Sequence, residues 1–347
     1  MIFDDNKILS RRAFVGVSMA LALTAKAGTT TMNEDRRPVI LDTDIGDDID
    51  DTWALLMLLR MPELDLKLAV GDFGKPLYRA RLLAKLLQLT GRSDVPVGVG
   101  LGLADAAVDE PGQQSSWLGD YQLDEYPGEI RQDGVQAIID TIKASPEPMT
   151  LLCLGPVPNI AEALRRDPSI ATNAHFIGMY GSIYTGYVGD ETPAAEYNVR
   201  VDPASLQAAF AAPWECTITP LDTCGLVVLD GENYRRLYES DDPWLLTLME
   251  NYRAWLPGAP FIAPNHDMRK ISTTLFDSVA VHLAAKSDLV EIERLPIRVT
   301  DDGYTIVDPE NGRPVNCATA WKDLEAFELR LVNTLLGTAK LTPAGLN

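Results

Sequence analysis

From Pro38 onward the chain alternates short apolar runs with longer stretches of helical spacing. Pro38–Leu41 is an apolar run that reads as a buried strand, and Trp53–Leu59, nearly all apolar, reads as a buried helix. Leu64–Val70 alternates apolar and polar residues as a second strand. Pro76–Thr90 follows as a helix with proline in its first turn and Gly91 as its stop, and Val95–Val99 is a third strand. This β-α-β-α-β order predicts an α/β fold built on a parallel sheet, whose ligands gather at the carboxyl ends of the strands. Gly100–Arg131, rich in Gly, Pro and polar residues, reads as a long loop at the mouth of a site. Further on, Gln136–Ala144 reads as a helix, Thr150–Leu154 as a strand, Ile160–Arg166 as a helix, and Phe176–Met179 and Thr217–Leu221 as strands. Val227–Trp255 is mixed helical and acidic, and an apolar helix begins near Asp277.

Between the first strand and helix lies Leu41–Leu55, with Asp42, Asp44, Asp47, Asp48, Asp50 and Asp51 within ten residues. Carboxylates crowded on one turn beside apolar elements repel one another unless a cation or hydrogen-bond donors neutralise them, and a set of hard oxygen ligands suits Ca²⁺ or Mg²⁺. Helix capping accounts for one or two of the six. An EF-hand loop starting at Asp42 fails, because Asp47 and Trp53 stand where Gly and Glu are required. A phosphotransferase Asp-x-Asp fits Asp42-Thr43-Asp44 loosely, but the chain lacks the Lys and Ser/Thr landmarks for phosphate. The formal net charge of −20 excludes binding to nucleic-acid backbones or anionic membranes, which select for positive patches.

Residues 1–31 read as a twin-arginine export signal and linker. Ser10-Arg11-Arg12-Ala13-Phe14 carries the motif, Ala13–Leu23 is apolar but too short to span a bilayer, and Ala25-Lys26-Ala27 offers a cleavage site. The expectation is a periplasmic or secreted protein, with no stable membrane insertion after cleavage and a single domain over 32–347. Of the four cysteines, Cys153 reads as a core residue, and Cys216 and Cys224 as able to pair across a hairpin-like bend.

The aspartate turn resembles the signature of the inosine-uridine type nucleoside hydrolases, in which a strand ends in Asp-Thr-Asp-Pro-Gly and a helix opens with Asp-Asp. Here Asp42-Thr43-Asp44-Ile45-Gly46 and Asp50-Asp51 stand in those places, with Ile45 for proline and a spacing two residues longer. Four more landmarks follow in order: Gly155-Pro156-Val157-Pro158-Asn159, Met179-Tyr180-Gly181, Ala195-Glu196-Tyr197-Asn198 with Val201-Asp202-Pro203, and Phe276-Asp277, where the family has His-Asp. The resemblance implies an open, mostly parallel, Rossmann-like central sheet with helices on both faces and Ca²⁺-dependent hydrolysis of ribonucleosides to base and ribose. It makes Asp44 the base that activates water and a metal ligand. Asp51, Asp277 and the Pro158 carbonyl complete the metal set, with Asp48 as the alternative to Asp50 or Asp51. Asp50, Asp72, Met179, Glu196, Asn198 and Phe276 face the substrate. With Phe276 in place of the family histidine, His266 is the candidate general acid. Tyr180, Tyr184 and Tyr187 are second-rank sources of a hydroxyl or stacking surface, and Trp117 or Trp255 of purine packing. The partner is a small nucleoside or related riboside, self-association is implied by the family, and the alternative reading is a binding protein or a relative acting on another glycoside.

Overall fold

The computed structural model describes residues 36–102, 112–259, 262 and 264–338. The proposed export signal, its cleavage site and the stretch 103–111 lie outside the described residues. In chain order the first elements are β1 (Arg37–Thr43), α1 (Asp50–Arg60), β2 (Leu64–Gly71), α2 (Pro76–Leu89), β3 (Val97–Val99), α3 (Ser115–Leu118) and β4 (Ile130–Arg131). The middle of the chain supplies α4 (Gly134–Ala144), β5 (Met149–Cys153), α5 (Pro158–Arg166), β6 (Ala174–Met179), α6 (Tyr197–Val201), α7 (Pro203–Ala211), β7 (Cys216–Thr219) and α8 (Leu221–Cys224). Last come α9 (Gly231–Tyr238), α10 (Pro243–Trp255), α11 (Phe276–Ala285), β8 (Val290–Val299), β9 (Thr305–Val307), β10 (Arg313–Trp321) and α12 (Leu324–Leu335).

Among the described residues ten strands form one sheet in the order β4-β3-β2-β1-β5-β6-β7-β10-β8-β9. Pairing is parallel from β4 through to β10, and only the β10-β8 and β8-β9 ladders are antiparallel. Alternation along the central strands explains why helices cover both faces. Val39 and Leu41 of β1 and Leu152 of β5 face one apolar core with α1, α2 and α11, whereas Ile40, Leu151 and Cys153 face a second with α4, α5 and α7. The expected open, mostly parallel α/β sheet is the observed one.

Three sequence expectations are corrected. The stretch 100–131 is not a bare loop, because its described part holds α3, a 3₁₀ turn at Leu123–Glu125 and β4, which pairs Val97 with Ile130 at the sheet edge. Gly and Pro mask so short an edge strand in the sequence. β7 ends at Thr219 rather than Leu221, since Pro220 cannot extend the ladder and α8 begins at once. Cys216 and Cys224 are free and buried, one on β7 and the other ending α8, with no hairpin between them. Asn159 lies inside α5, which is preceded by Val157 without a side-chain cap bond. Among the described residues, no helix is long and apolar enough to cross a membrane.

Candidate active site

Strand register brings the acids together. Thr43 at the end of β1 pairs with Gly71 at the end of β2, and the Asp72 amide donates to the Thr43 carbonyl at 2.9 Å, so the residues after both strands emerge side by side. On the other flank Asp42 pairs with Cys153, and the Leu154 amide donates to the Asp42 carbonyl at 2.9 Å, which sets the Gly155 turn beside Asp44. A Cβ on Gly155 would stand 2.7 Å from Asp44 Cγ, a contact side chains do not tolerate. Asp44 therefore packs on bare backbone.

The six aspartates of the turn separate into different tasks. Asp50 and Asp51 open α1, whose N-cap Ile49 contributes no side-chain bond. With Asp277 on α11, which packs against α1, they offer carboxylate oxygens all within 4.8 Å of one another, and all three residues are buried. The Asp277 amide donates to Asp50 Oδ2 at 3.2 Å, and the Thr43 hydroxyl donates to Asp51 Oδ1. Asp48 Oδ1 accepts from the Ile49 amide at 2.6 Å, and Asp47 Oδ2 accepts from Arg79 at 2.9 Å. Asp42 Oδ1 accepts from Asn159 Nδ2 at 2.7 Å, while Asn159 Oδ1 takes the Leu101 amide at 2.7 Å. Asp42 Oδ2 and both oxygens of buried Asp72 meet no hydrogen-bond donor, so this corner of the site holds unpaired carboxyl oxygens.

Burial raises these acids. Asp42, Asp44 and Asp48 are pushed up to about 7 by desolvation. Asp50, Asp51, Asp72 and Asp277 are raised well above the ordinary carboxylate range by desolvation and then by one another's charge. The Arg79 charge offsets only part of this, on Asp44, Asp51 and Asp72. Arg79 is the buried arginine among the described residues, and it spends Nε on the Phe73 carbonyl at 2.7 Å, Nη1 on the Asp44 and Ile45 carbonyls, and Nη2 on Asp47. Phe73 takes φ +31°, a strained value outside glycine, to present that carbonyl. Three converging buried carboxylates without a basic partner, made of hard oxygens, fit a divalent cation. The sequence reading missed Arg79, although an arginine on the apolar face of α2 beside Ala80, Leu82 and Leu83 was a visible signal.

The other candidates are held by contacts of their own. Glu196 accepts from the Asn198 amide at 2.8 Å, the Gly181 amide at 3.1 Å and the Val199 amide at 3.3 Å, capping α6 and tying it to the end of β6; burial pushes it up to about 7. Asn198 donates Nδ2 to the carbonyls of Leu154 (2.8 Å) and Met179 (3.1 Å), bridging the ends of β5 and β6 and keeping Oδ1 out of those bonds. Pro158 begins α5, and Met179 ends β6 in a buried position. Phe276 is the first residue of α11 and lies 6.2 Å from Tyr187, edge to face. His266 hydrogen-bonds through Nε2 to the hydroxyl of buried Tyr252 at 2.7 Å, and burial lowers its pKa. Two aromatic candidates are committed to packing: Tyr180 donates to the Gly155 carbonyl at 2.6 Å, and buried Trp255 donates to the Asp47 carbonyl at 2.8 Å. Trp117 is covered by Lys85, with Nζ 4.3 Å from the ring.

Residues 39–328 match the model of a family described as inosine-uridine preferring nucleoside hydrolase. Among curated relatives, the chain is 28% identical over 309 residues to the non-specific ribonucleoside hydrolase RihC of Salmonella paratyphi B, covering 83% of this chain and 94% of the relative. It is 30% identical over 218 residues to the pyrimidine-specific ribonucleoside hydrolase RihA of Citrobacter koseri, covering 59% and 67%. Among solved structures, a plant nucleoside hydrolase superposes with a TM-score of 0.72 at 22% identity, covering 86% of this chain and 98% of that one. A purine-preferring ribonucleoside hydrolase from Gardnerella vaginalis superposes at 0.68 and 22%, covering 87% and 99%.

Proposed function

The chain belongs to the inosine-uridine preferring nucleoside hydrolase family, whose members are N-glycosyl hydrolases, and we propose that it cleaves ribonucleosides to free base and ribose in a Ca²⁺-dependent reaction. The observation that carries the cation is the buried group Asp50, Asp51 and Asp277. These three would hold the ion, with Asp44, Asp48 and the Pro158 carbonyl as further ligands. When bound, Ca²⁺ supplies a fixed positive charge that orients sugar hydroxyls and makes a nearby water more acidic.

The protein's own groups do the remaining work. Asp44 takes the proton of the attacking water as its oxygen bonds to C1′, and its place against Gly155 fixes the direction of that carboxylate. Asp72, Glu196 and Asn198 bind sugar hydroxyls: Asn198 through Oδ1, and Asp72 through buried oxygens that no donor of the protein meets. Asp50 serves the cation or a ribose hydroxyl. Met179 and Phe276 line the substrate side, and His266 is the group we assign to protonating neutral leaving bases. The mature protein acts in the periplasm or outside the cell after twin-arginine export, and self-association follows from the family resemblance.

The deciding experiment measures reducing-sugar release from purine and pyrimidine ribonucleosides with purified protein in Ca²⁺, after chelation, and after restoring Ca²⁺ or Mg²⁺. Turnover lost on chelation and restored by Ca²⁺ is expected. Undiminished turnover after chelation would overturn the metal assignment.

A further inference from the structure

The acidic floor has an aromatic wall. Phe276 precedes Asp277 on α11, Tyr187 stands edge-on to it, and the Tyr187 hydroxyl accepts the Tyr197 amide at 2.8 Å. Tyr187 and Tyr197 are 40% and 37% exposed, so the wall reaches solvent; Tyr197 feels the charges of Asp47 and Asp44, opposed by Arg79 and by Arg200, whose guanidinium lies 6.0 Å from its ring. Asp222 secures this wall. Its buried carboxylate accepts three successive amides, from Ile183 at 2.8 Å, Tyr184 at 2.7 Å and Thr185 at 3.2 Å. Ser182 is pinned from the other side, its amide donating to Thr305 Oγ1 at 3.0 Å. The segment carrying Tyr187 is thus held by a fixed frame.

Proton sources around this wall are few. The chain has three histidines. His175 is exposed near the amino end of β6, opposite the strand ends that carry the acids, and His282 is buried within α11 with Nδ1 3.3 Å from Arg330. His266 is held by buried Tyr252. Burial raises the hydroxyls of Tyr187 and Tyr197 and makes them weaker acids. Arg79 is consumed by carbonyls and Asp47. A leaving base therefore meets a floor of carboxyl groups and two aromatic rings, with His266 the one histidine assigned to protonate it.

We infer that this site, taken as the nucleoside hydrolase proposed above, favours ribosides whose aromatic leaving group carries a permanent positive charge, such as an N-alkylpurinium or a pyridinium, with Phe276 and Tyr187 as its recognition surface. Aromatic faces attract such cations, and the carboxyl floor adds a long-range pull. For such a substrate the proton assigned to His266 is not needed. The C1′–N bond breaks with its electron pair passing to the cationic ring nitrogen, which leaves as a neutral base. The water oxygen bonds to C1′, and its proton goes to Asp44 and then to solvent. The products are ribose, neutral base and one proton. A neutral purine cleaved in the same way would depart as an anion unless a proton reached it.

The test compares 7-methylguanosine with guanosine in Ca²⁺, each enzymatic rate divided by its uncatalysed rate, alongside inhibition by the ring-methylated pyridinium 1-methylnicotinamide and by neutral nicotinamide. The cationic riboside should be accelerated at least about tenfold more, and the cationic inhibitor should bind about tenfold more tightly. Tyr187→Leu and, separately, Phe276→Leu, each checked for unchanged melting temperature, should bring the inhibitor ratio close to one. Equal acceleration of the two nucleosides, or equal inhibition by the two pyridines, would overturn the inference while leaving the hydrolase reading intact. Hydrolysis of neither nucleoside, nor of inosine or uridine, would overturn the hydrolase reading itself.

Discussion

Asp44 and Gly155 show how much of the site depends on single atoms. Gly155→Ala would drive a methyl group into the Asp44 carboxyl, and a shift of about 1 Å in a catalytic base costs about 10²-fold in rate. Steady-state kinetics should show kcat falling by that order with the melting temperature little changed. Asp51→Ala removes one of three converging carboxylates, and both Ca²⁺ binding by calorimetry and turnover should be lost, the latter by about a thousandfold or more. Full activity in that variant would sink the assignment of Asp51. At this scale the sequence was readable where chemistry is concentrated: a run of six aspartates is hard to explain as capping, and Asp277 stands out by resemblance. Arg79, Asn159 and Asp222 were not readable as organisers, because each acts through partners 30 or more positions away, on backbone carbonyls, on Asp42 and on backbone amides. Local patterns carry no trace of such partners.

Helix α2 does more than cover the sheet. Through Arg79 it grips the carbonyls of Asp44, Ile45 and Phe73, and so fixes the turns after β1 and β2 relative to each other. Replacing Arg79 with Met keeps most of the apolar stem but strands those carbonyls and the Asp47 carboxylate. A loss of about 3–5 kcal/mol in urea denaturation is expected, together with loss of activity. If stability is unchanged, the grip is not structural. Strands β1, β2, β5 and β6 and helices α1, α2, α4 and α11 were legible because their apolar runs are long and bounded by Gly, Pro or Asp. By contrast, β8 escaped notice because its Glu and Arg residues at an exposed sheet edge look like loop. β4 was too short to register at all.

The whole molecule ties its stability to its charge. In the folded chain Asp42, Asp44 and Asp48 bind protons up to about 7, against an ordinary 3.8. Between those limits the folded state holds protons that the unfolded state releases. Without a cation, stability is therefore fullest below about pH 4 as far as these groups are concerned, and it drains away as pH rises through 7. A cation replaces the protons, so the rise in melting temperature on adding Ca²⁺ should be larger at pH 8 than at pH 5. Scanning calorimetry at the two pH values checks this, and an equal rise at both would contradict the placement of the cation among these acids. The overall architecture was largely legible, because a repeating β-α order admits few sheets, but the antiparallel flank beyond β7 was not.

The bond from the Asp277 amide to Asp50 joins residues 227 positions apart, one at the first helix and one near the last. A cation seated there closes the 227 positions between them into a loop, and its ligands meet only after the central strands are in place. Such a clasp arrives too late to hasten folding and acts on the reverse step instead. Chelation should therefore speed unfolding in stopped-flow measurements while leaving the refolding rate nearly unchanged. The acidic turn would then act as a latch that sets how long the folded protein lasts.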